Sequence, residues 1–152
     1  MPTIALAADH AGRPLLGIAQ EAIESRGDTL LLLGAELSGP GDDYPDFAQL
    51  VARSIQAGAA ARGILICGSG VGAAVAASKF RGVRAGVCHD AYSAAQSVEH
   101  DDLNVLCLGA RIVGPALARV LLDRFLTAEF SGEARHVRRL AKVRAFEENS
   151  AE

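Results

Sequence analysis

Five short apolar runs, each followed by a longer stretch of helical periodicity, limit what this chain can fold into before any single residue is considered. The runs are Thr3–Ala8, Thr29–Leu33, Gly63–Cys67, Arg84–Cys88 and Asn104–Leu108. None alternates polar with apolar residues, which predicts strands covered on both faces. Helical patterns occupy Arg13–Ser25, Pro45–Ala57, Val71–Lys79, Ala91–Glu99 and Val113–Leu126, and a charged helix is expected over Glu133–Asn149. Pro14 and Pro45 stand where helices begin, a position that loses nothing from a missing N–H. Repeated strand–helix units predict a five-stranded parallel sheet, an α/β three-layer sandwich with right-handed crossovers and one extra C-terminal helix. No linker, repeat or low-complexity tract divides the chain, so a single domain over residues 1–152 is expected.

Composition narrows the function classes. Half of the residues are hydrophobic, enough for a sizeable core. A formal net charge of -3 gives no reason to expect a nucleic-acid partner. No apolar run approaches the roughly 18 residues a membrane helix needs. Met1-Pro2-Thr3-Ile4 lacks the basic and then apolar character of a secretory signal. Cys67, Cys88 and Cys107 are odd in number and far apart, which predicts reduced thiols and a cytoplasmic protein.

In a Rossmann-like sandwich, ligands bind beyond the C-terminal ends of the strands. Those ends carry Asp9-His10, Gly34, Cys67-Gly68-Ser69-Gly70, His89-Asp90 and Gly109-Ala110-Arg111. The third end is the most informative. Ile64 to Ala73 reads as a strand running into a glycine-rich turn and then a helix. Glycines let a backbone approach an anion closely, and free N–H groups at a helix start attract negative charge. The same setting favours a thiolate at Cys67 near neutral pH. Cys88 and Cys107 have no such neighbours and read as core residues. The loop also fits a dinucleotide fingerprint, with Gly68, Gly70 and Ala73 as G-x-G-x-x-A and Asp90 about 20 residues on. Against that stands its place after the third strand rather than the first.

Asp9 ends the first strand with His10, and His100 precedes Asp101 and Asp102. Both histidines lie near carboxylates and both are expected at the ligand edge, a pattern suited to acid–base work. His89 and His136 lack that support. Arg135 and Arg139 are four apart on one helix face, with Arg138 and Lys142 nearby. They suit either a solvated cationic face or, with Arg111, a phosphate clamp.

Seven segments taken together resemble the type-B ribose-5-phosphate isomerases, which include relatives acting on allose and galactose 6-phosphates. They are Ala8–Gly12, Asp43–Pro45, Ile66–Gly72, Tyr92–Ala94, His100–Leu106, Gly109–Gly114 and Arg135–Arg139. The resemblance spans nearly the whole chain in the family's order. It implies an aldose–ketose isomerisation of a sugar phosphate through a cis-enediolate, with neither metal nor other cofactor. It implies Cys67 as the base, Ser69 as the hydroxyl beside it, and the N–H groups of Gly68, Gly70, Val71 and Gly72 as an oxyanion hole. His100 and Asp9 match groups that open the sugar ring. His10, Arg111, Arg135 and Arg139 match a phosphate clamp, and Tyr44 matches a pocket wall. A homodimer or dimer of dimers with shared sites is implied, with no nucleic-acid or membrane partner. Asp101 stands where the family often has Asn, and a carboxylate cannot donate as an amide does. That leaves a four- or six-carbon sugar phosphate as an alternative to ribose 5-phosphate, and a dinucleotide-binding module as the alternative from another class. Ala73 stands where some relatives place a Glu base, which favours Cys67.

Overall fold

The computed structural model describes residues 1–150; the last two residues of the expected 1–152 span lie outside the described residues. Its strands are β1 (Thr3–Ala8), β2 (Thr29–Leu32), β3 (Arg62–Cys67), β4 (Ala85–Val87) and β5 (Val105–Gly109). Its helices are α1 (Leu16–Glu24), α2 (Tyr44–Gln56), α3 (Val71–Ala77), α4 (Ala91–Asp101), α5 (Pro115–Thr127) and α6 (Ala134–Asn149). The five strands form one parallel sheet in the order β2-β1-β3-β5-β4. The Rossmann-like sandwich read from the sequence is therefore the observed fold.

Period-two alternation within the central strands divides their side chains between two cores. Ile4, Leu6, Ile64, Ile66, Leu106 and Leu108 face α1, α4 and α5. Ala5, Ala7, Leu65, Cys67, Val105 and Cys107 face α2 and α3, where small residues such as Ala48, Ala52, Ala73 and Ala77 let the helices sit close. The expectation that every strand is covered on both faces fails for β2 and β4. These are the two edge strands, and their residues are at most half-buried, Leu32 being exposed. Edge position depends on strand order, which the apolar runs do not encode.

Helix ends follow local chemistry. Pro45 is the second residue of α2 and Pro115 the first of α5. The Asp90 carboxylate caps α4 by accepting the Ser93 N–H at 2.7 Å. Asp102 ends α4 with φ 50, the one non-glycine residue in the left-handed region among the described residues. Arg84 holds this turn by donating to Asp102 O at 2.7 Å. Helix α6 packs only His136 and Leu140 into the protein. No described helix is long and apolar enough to cross a membrane.

Candidate active site

Cys67 is the last residue of β3 and lines a cavity of about 310 Å³. Asp9, Tyr44, Gly68, Ser69, Gly72, Arg111 and Ile112 complete the lining. The turn after β3 explains how the thiol is presented. Gly70 takes φ +81, a conformation in which L side chains are strained, and this bends the chain sharply into α3. The bend aims the Gly70 N–H at Cys67 Sγ, 3.1 Å away. The next amide, Val71 N–H, donates to Ser69 Oγ at 3.2 Å. Ala74 N–H is bonded to Gly70 O at 3.1 Å, so the Gly72 and Ala73 N–H groups lie in the first turn of α3, where helix amides have no acceptor within the helix. Of the amides expected to form the oxyanion hole, those of Gly70 and Val71 are thus already engaged, and Gly72 lines the cavity.

Neighbouring strands bring the remaining groups of this edge. Asp9 directly follows β1 and is buried, its Oδ1 accepting the Gly12 N–H at 2.9 Å. Arg111 follows β5; its N–H donates to Gly68 O at 3.1 Å, which sets its guanidinium beside the glycine turn. Tyr44 begins α2 and lays its ring over Gly72. His10 is exposed, and its Nδ1 is hydrogen-bonded to Asp42.

Asp42 carries no mark in the sequence that separates it from the other acidic residues of its loop. Its side chain is only 4% exposed, and it accepts the N–H groups of His10 at 2.9 Å and Gly39 at 3.0 Å. Burial opposes its ionisation, but the hydrogen bonds from His10 and Gly39 outweigh that and hold its carboxyl below the ordinary carboxylate range. Asp9, His10 and Asp42 each place one donor atom within 4.8 Å of the others. The Asp42 oxygens are engaged by the His10 and Gly39 amides and by His10 Nδ1, and Asp9 Oδ1 by the Gly12 amide. His89, beside this edge, supports the backbone, its Nε2 accepting the Gly109 N–H at 3.0 Å. Burial lowers its pKa, in keeping with a neutral acceptor.

The structure corrects the placement of His100. Helix α4 starts at the ligand edge after β4 and runs back along the sheet, so His100 lies nine residues, or about 14 Å, from the helix start. It is followed by the turn into the start of β5, at the opposite edge from Cys67, which pairs with Gly109 at the end of that strand. The two residues also belong to opposite faces of the sheet. Asp101 shares the far edge. So do Arg135 and Arg139, since α6 starts where its His136 stacks on His100. Within one chain the predicted site is two separate groups: Cys67, Ser69, the glycine turn, Asp9, His10, Tyr44 and Arg111 on one edge, and His100, Asp101, Arg135 and Arg139 on the other. A larger cleft of about 680 Å³ opens between α6 and the turn after α3, lined by Arg81, Arg84, Arg144 and Phe146 among others. It contains no cysteine or histidine.

Comparison with known proteins fits this geometry. A family model described as Ribose/Galactose Isomerase matches residues 4–143. The chain is 40% identical to ribose-5-phosphate isomerase B of Escherichia coli, over 97% of this chain and 98% of that protein. It is 38% identical to a D-erythrulose-4-phosphate isomerase of Pectobacterium atrosepticum, over 87% of each. Among solved structures, ribose-5-phosphate isomerase B of Mycoplasma genitalium with bound ribulose-5-phosphate superimposes with a TM-score of 0.90 at 39% identity, covering 96% of each chain.

Proposed function

Because the chain belongs to the Ribose/Galactose Isomerase family of sugar-phosphate isomerases, we propose that it interconverts ribose 5-phosphate and ribulose 5-phosphate with Cys67 as the carbon base. The observation that carries this reading is Cys67 in the cavity lining with an N–H aimed at its sulfur. The thiolate takes the proton from C2 of the open-chain aldose and returns it to C1, while the hydroxyl proton passes from O2 to O1. The Gly70 N–H faces the sulfur throughout, and the Gly72 N–H lies where negative charge develops on the enediolate oxygens. Ser69 and the buried Asp9 carboxylate flank the reacting carbons. Arg111 and His10 bind the phosphate from the same chain.

His100, Arg135 and Arg139 belong to this site only if a second copy supplies them. The reading therefore takes the protein as a homodimer with shared sites. Exposed apolar side chains at this edge of the sheet support it: Val71 at the start of α3, Tyr92 near the start of α4 and Ile112 in the cavity lining are 56%, 74% and 61% exposed, a surface suited to a partner. In this reading His100 of the second copy opens the sugar ring, and its arginines close on the phosphate. The three free, buried cysteines suit a reducing cytoplasm.

Mixing inactive variants tests both proposals. Cys67→Ser should cut turnover at least about 100-fold, the low end of what proton-transfer catalysis supplies. His100→Asn should cut turnover of the cyclic sugar as well. Unfolded together and refolded at equal concentration, the two should regain roughly a quarter of wild-type activity, because half the dimers are mixed and each mixed dimer has one intact site of two. No regain would place Cys67 and His100 in the same chain's site or remove one of them from the chemistry.

A further inference from the structure

The proposed function employs His100 but gives no role to the ring stacked on it, His136. We propose that His136 is a positioning residue for His100: its buried ring is the flat floor that holds the His100 imidazole ready for proton transfer. The inference rests on the role of His100 proposed above.

His136 sits in the first turn of α6 and is 2% exposed. Its ring stacks on that of half-buried His100 with centroids 4.0 Å apart and planes inclined by 26°. The floor is itself anchored. Its Nδ1 is hydrogen-bonded to Ser131 Oγ. The Ser131 N–H donates to Glu99 O at 3.0 Å, in the last turn of α4. The two rings are therefore tied through the backbone as well as by contact.

On the other side of His100, Gln96 Nε2 lies 3.0 Å from Nδ1, one helical turn earlier. An amide nitrogen only donates, so Nδ1 accepts, and the neutral ring carries its proton on Nε2. Gln96 thus fixes the tautomer and His136 fixes the plane. A group that must meet a substrate held by another chain has particular need of such presetting, since small misplacements of a reacting group are costly.

The electrostatics favour the same division of labour. Burial, then His100, Arg135 and Arg139, hold His136 below the ordinary histidine range, with only Glu133 opposing. Its Nε2 is buried without a hydrogen-bond partner, so a second proton there would have no acceptor. His136 is thus suited to serve as a neutral floor rather than as a second proton carrier.

The test compares His136→Ala, His136→Phe and His100→Asn for turnover of ribose 5-phosphate, with nitrogen-15 NMR of the histidine rings. His136→Ala should lower kcat about tenfold with KM within about twofold of wild type, the mark of lost orientation rather than lost binding. Its His100 ring should keep the Nε2–H form that Gln96 fixes, while its ring resonances shift with the loss of the stacked neighbour. His136→Phe keeps a flat, uncharged floor and should stay within about threefold of wild-type kcat. Wild-type kcat in His136→Ala alongside an impaired His100→Asn overturns the inference and spares the role of His100. A folded His136→Phe as impaired as His136→Ala also overturns it. Full turnover in His100→Asn removes the underlying reading instead.

Discussion

The ring of Tyr44 occupies the space a β-carbon on Gly72 would need: Cε1 and Cζ lie 2.6 Å from that position. Residue 72 is helical, with φ outside the left-handed region, so the backbone itself tolerates a side chain there. What excludes one is the aromatic wall of the cavity. Glycine in the loop thus has two separate uses, a turn at Gly70 and a seat for Tyr44 at Gly72.

Gly72→Ala should therefore damage the site more than the fold. Alanine gains about 0.5–1 kcal/mol over glycine in a helix interior and less at this first-turn position, so little of the crowding is offset. The expected outcome is a thermal midpoint near wild type and a KM for ribose 5-phosphate raised several-fold as Tyr44 is pushed from its place. In a Tyr44→Ala background the added effect of Gly72→Ala should shrink toward zero, because the two changes act on one contact. Additive losses in that cycle would show that the substitution acts elsewhere.

Asp42 gives a pH signature. Its folded-state pKa is held below the ordinary value, its hydrogen bonds with His10 and Gly39 prevailing over burial. A depressed carboxylate contributes stability that is fully present above its unfolded pKa and is lost as pH falls through the folded one. Asp42→Asn should cost on the order of 1 kcal/mol near neutral pH, a figure kept small because the His10 side chain is 46% exposed. The gap between wild type and variant in urea unfolding should hold from about pH 7 to about pH 5 and close below about pH 4. A gap that does not change with pH would mean that hydrogen-bond shape, not charge, is what Asp42 supplies.

Much of the architecture is legible in the sequence because parallel α/β folds write their layers into local pattern. β1 begins and ends where its apolar run does, and α2 starts one residue before Pro45. The Cys67–Gly72 turn is readable for the same reason: a reactive side chain, glycines and a helix start lie within six residues. What pattern does not supply is anything set by strand order or by contact between distant segments. β4 is shorter than its apolar run, without Arg84 and Cys88, because only Ala85–Val87 pair with β5. The aspartates beside His100 point to the ligand edge, yet a residue at the end of a crossover helix precedes a strand and so lies at the other edge. Asp42 and His136 look ordinary in sequence since their partners are His10 and His100, each more than 30 residues away in the chain. The dinucleotide fingerprint matches in spacing alone; Tyr44 packs over the Gly72 that lies inside it, and the relatives are sugar-phosphate isomerases.

The arginines of α6 provide the sharpest contrast between a solvated face and a phosphate clamp. His136 and Leu140 mark the packed face of this helix. Arg135 and Arg139 each precede one of them, so they flank that face on one side, next to His100. Arg138 is two residues from both and projects from the opposite side. All three are exposed, and Arg135 is already paired with Glu133 at 3.0 Å. If α6 delivers cations to a phosphate held by another copy, Arg139→Ala should raise KM roughly 10- to 150-fold, the value of a charge-assisted hydrogen bond of about 1.5–3 kcal/mol. Some of the loss should appear in kcat, because phosphate binding energy can be used to orient the reacting carbons. Inorganic phosphate should inhibit the Arg139 variant more weakly than wild type. Arg138→Ala, which removes the same charge from the same helix, should leave KM and phosphate inhibition unchanged and alter stability by no more than about 0.5 kcal/mol. A solvated cationic face with no direct contact would instead give both variants similarly small effects, since neither guanidinium would bond the phosphate. Direct clamping separates them, because a bond at about 3 Å depends on direction while a screened field across about 10 Å does not.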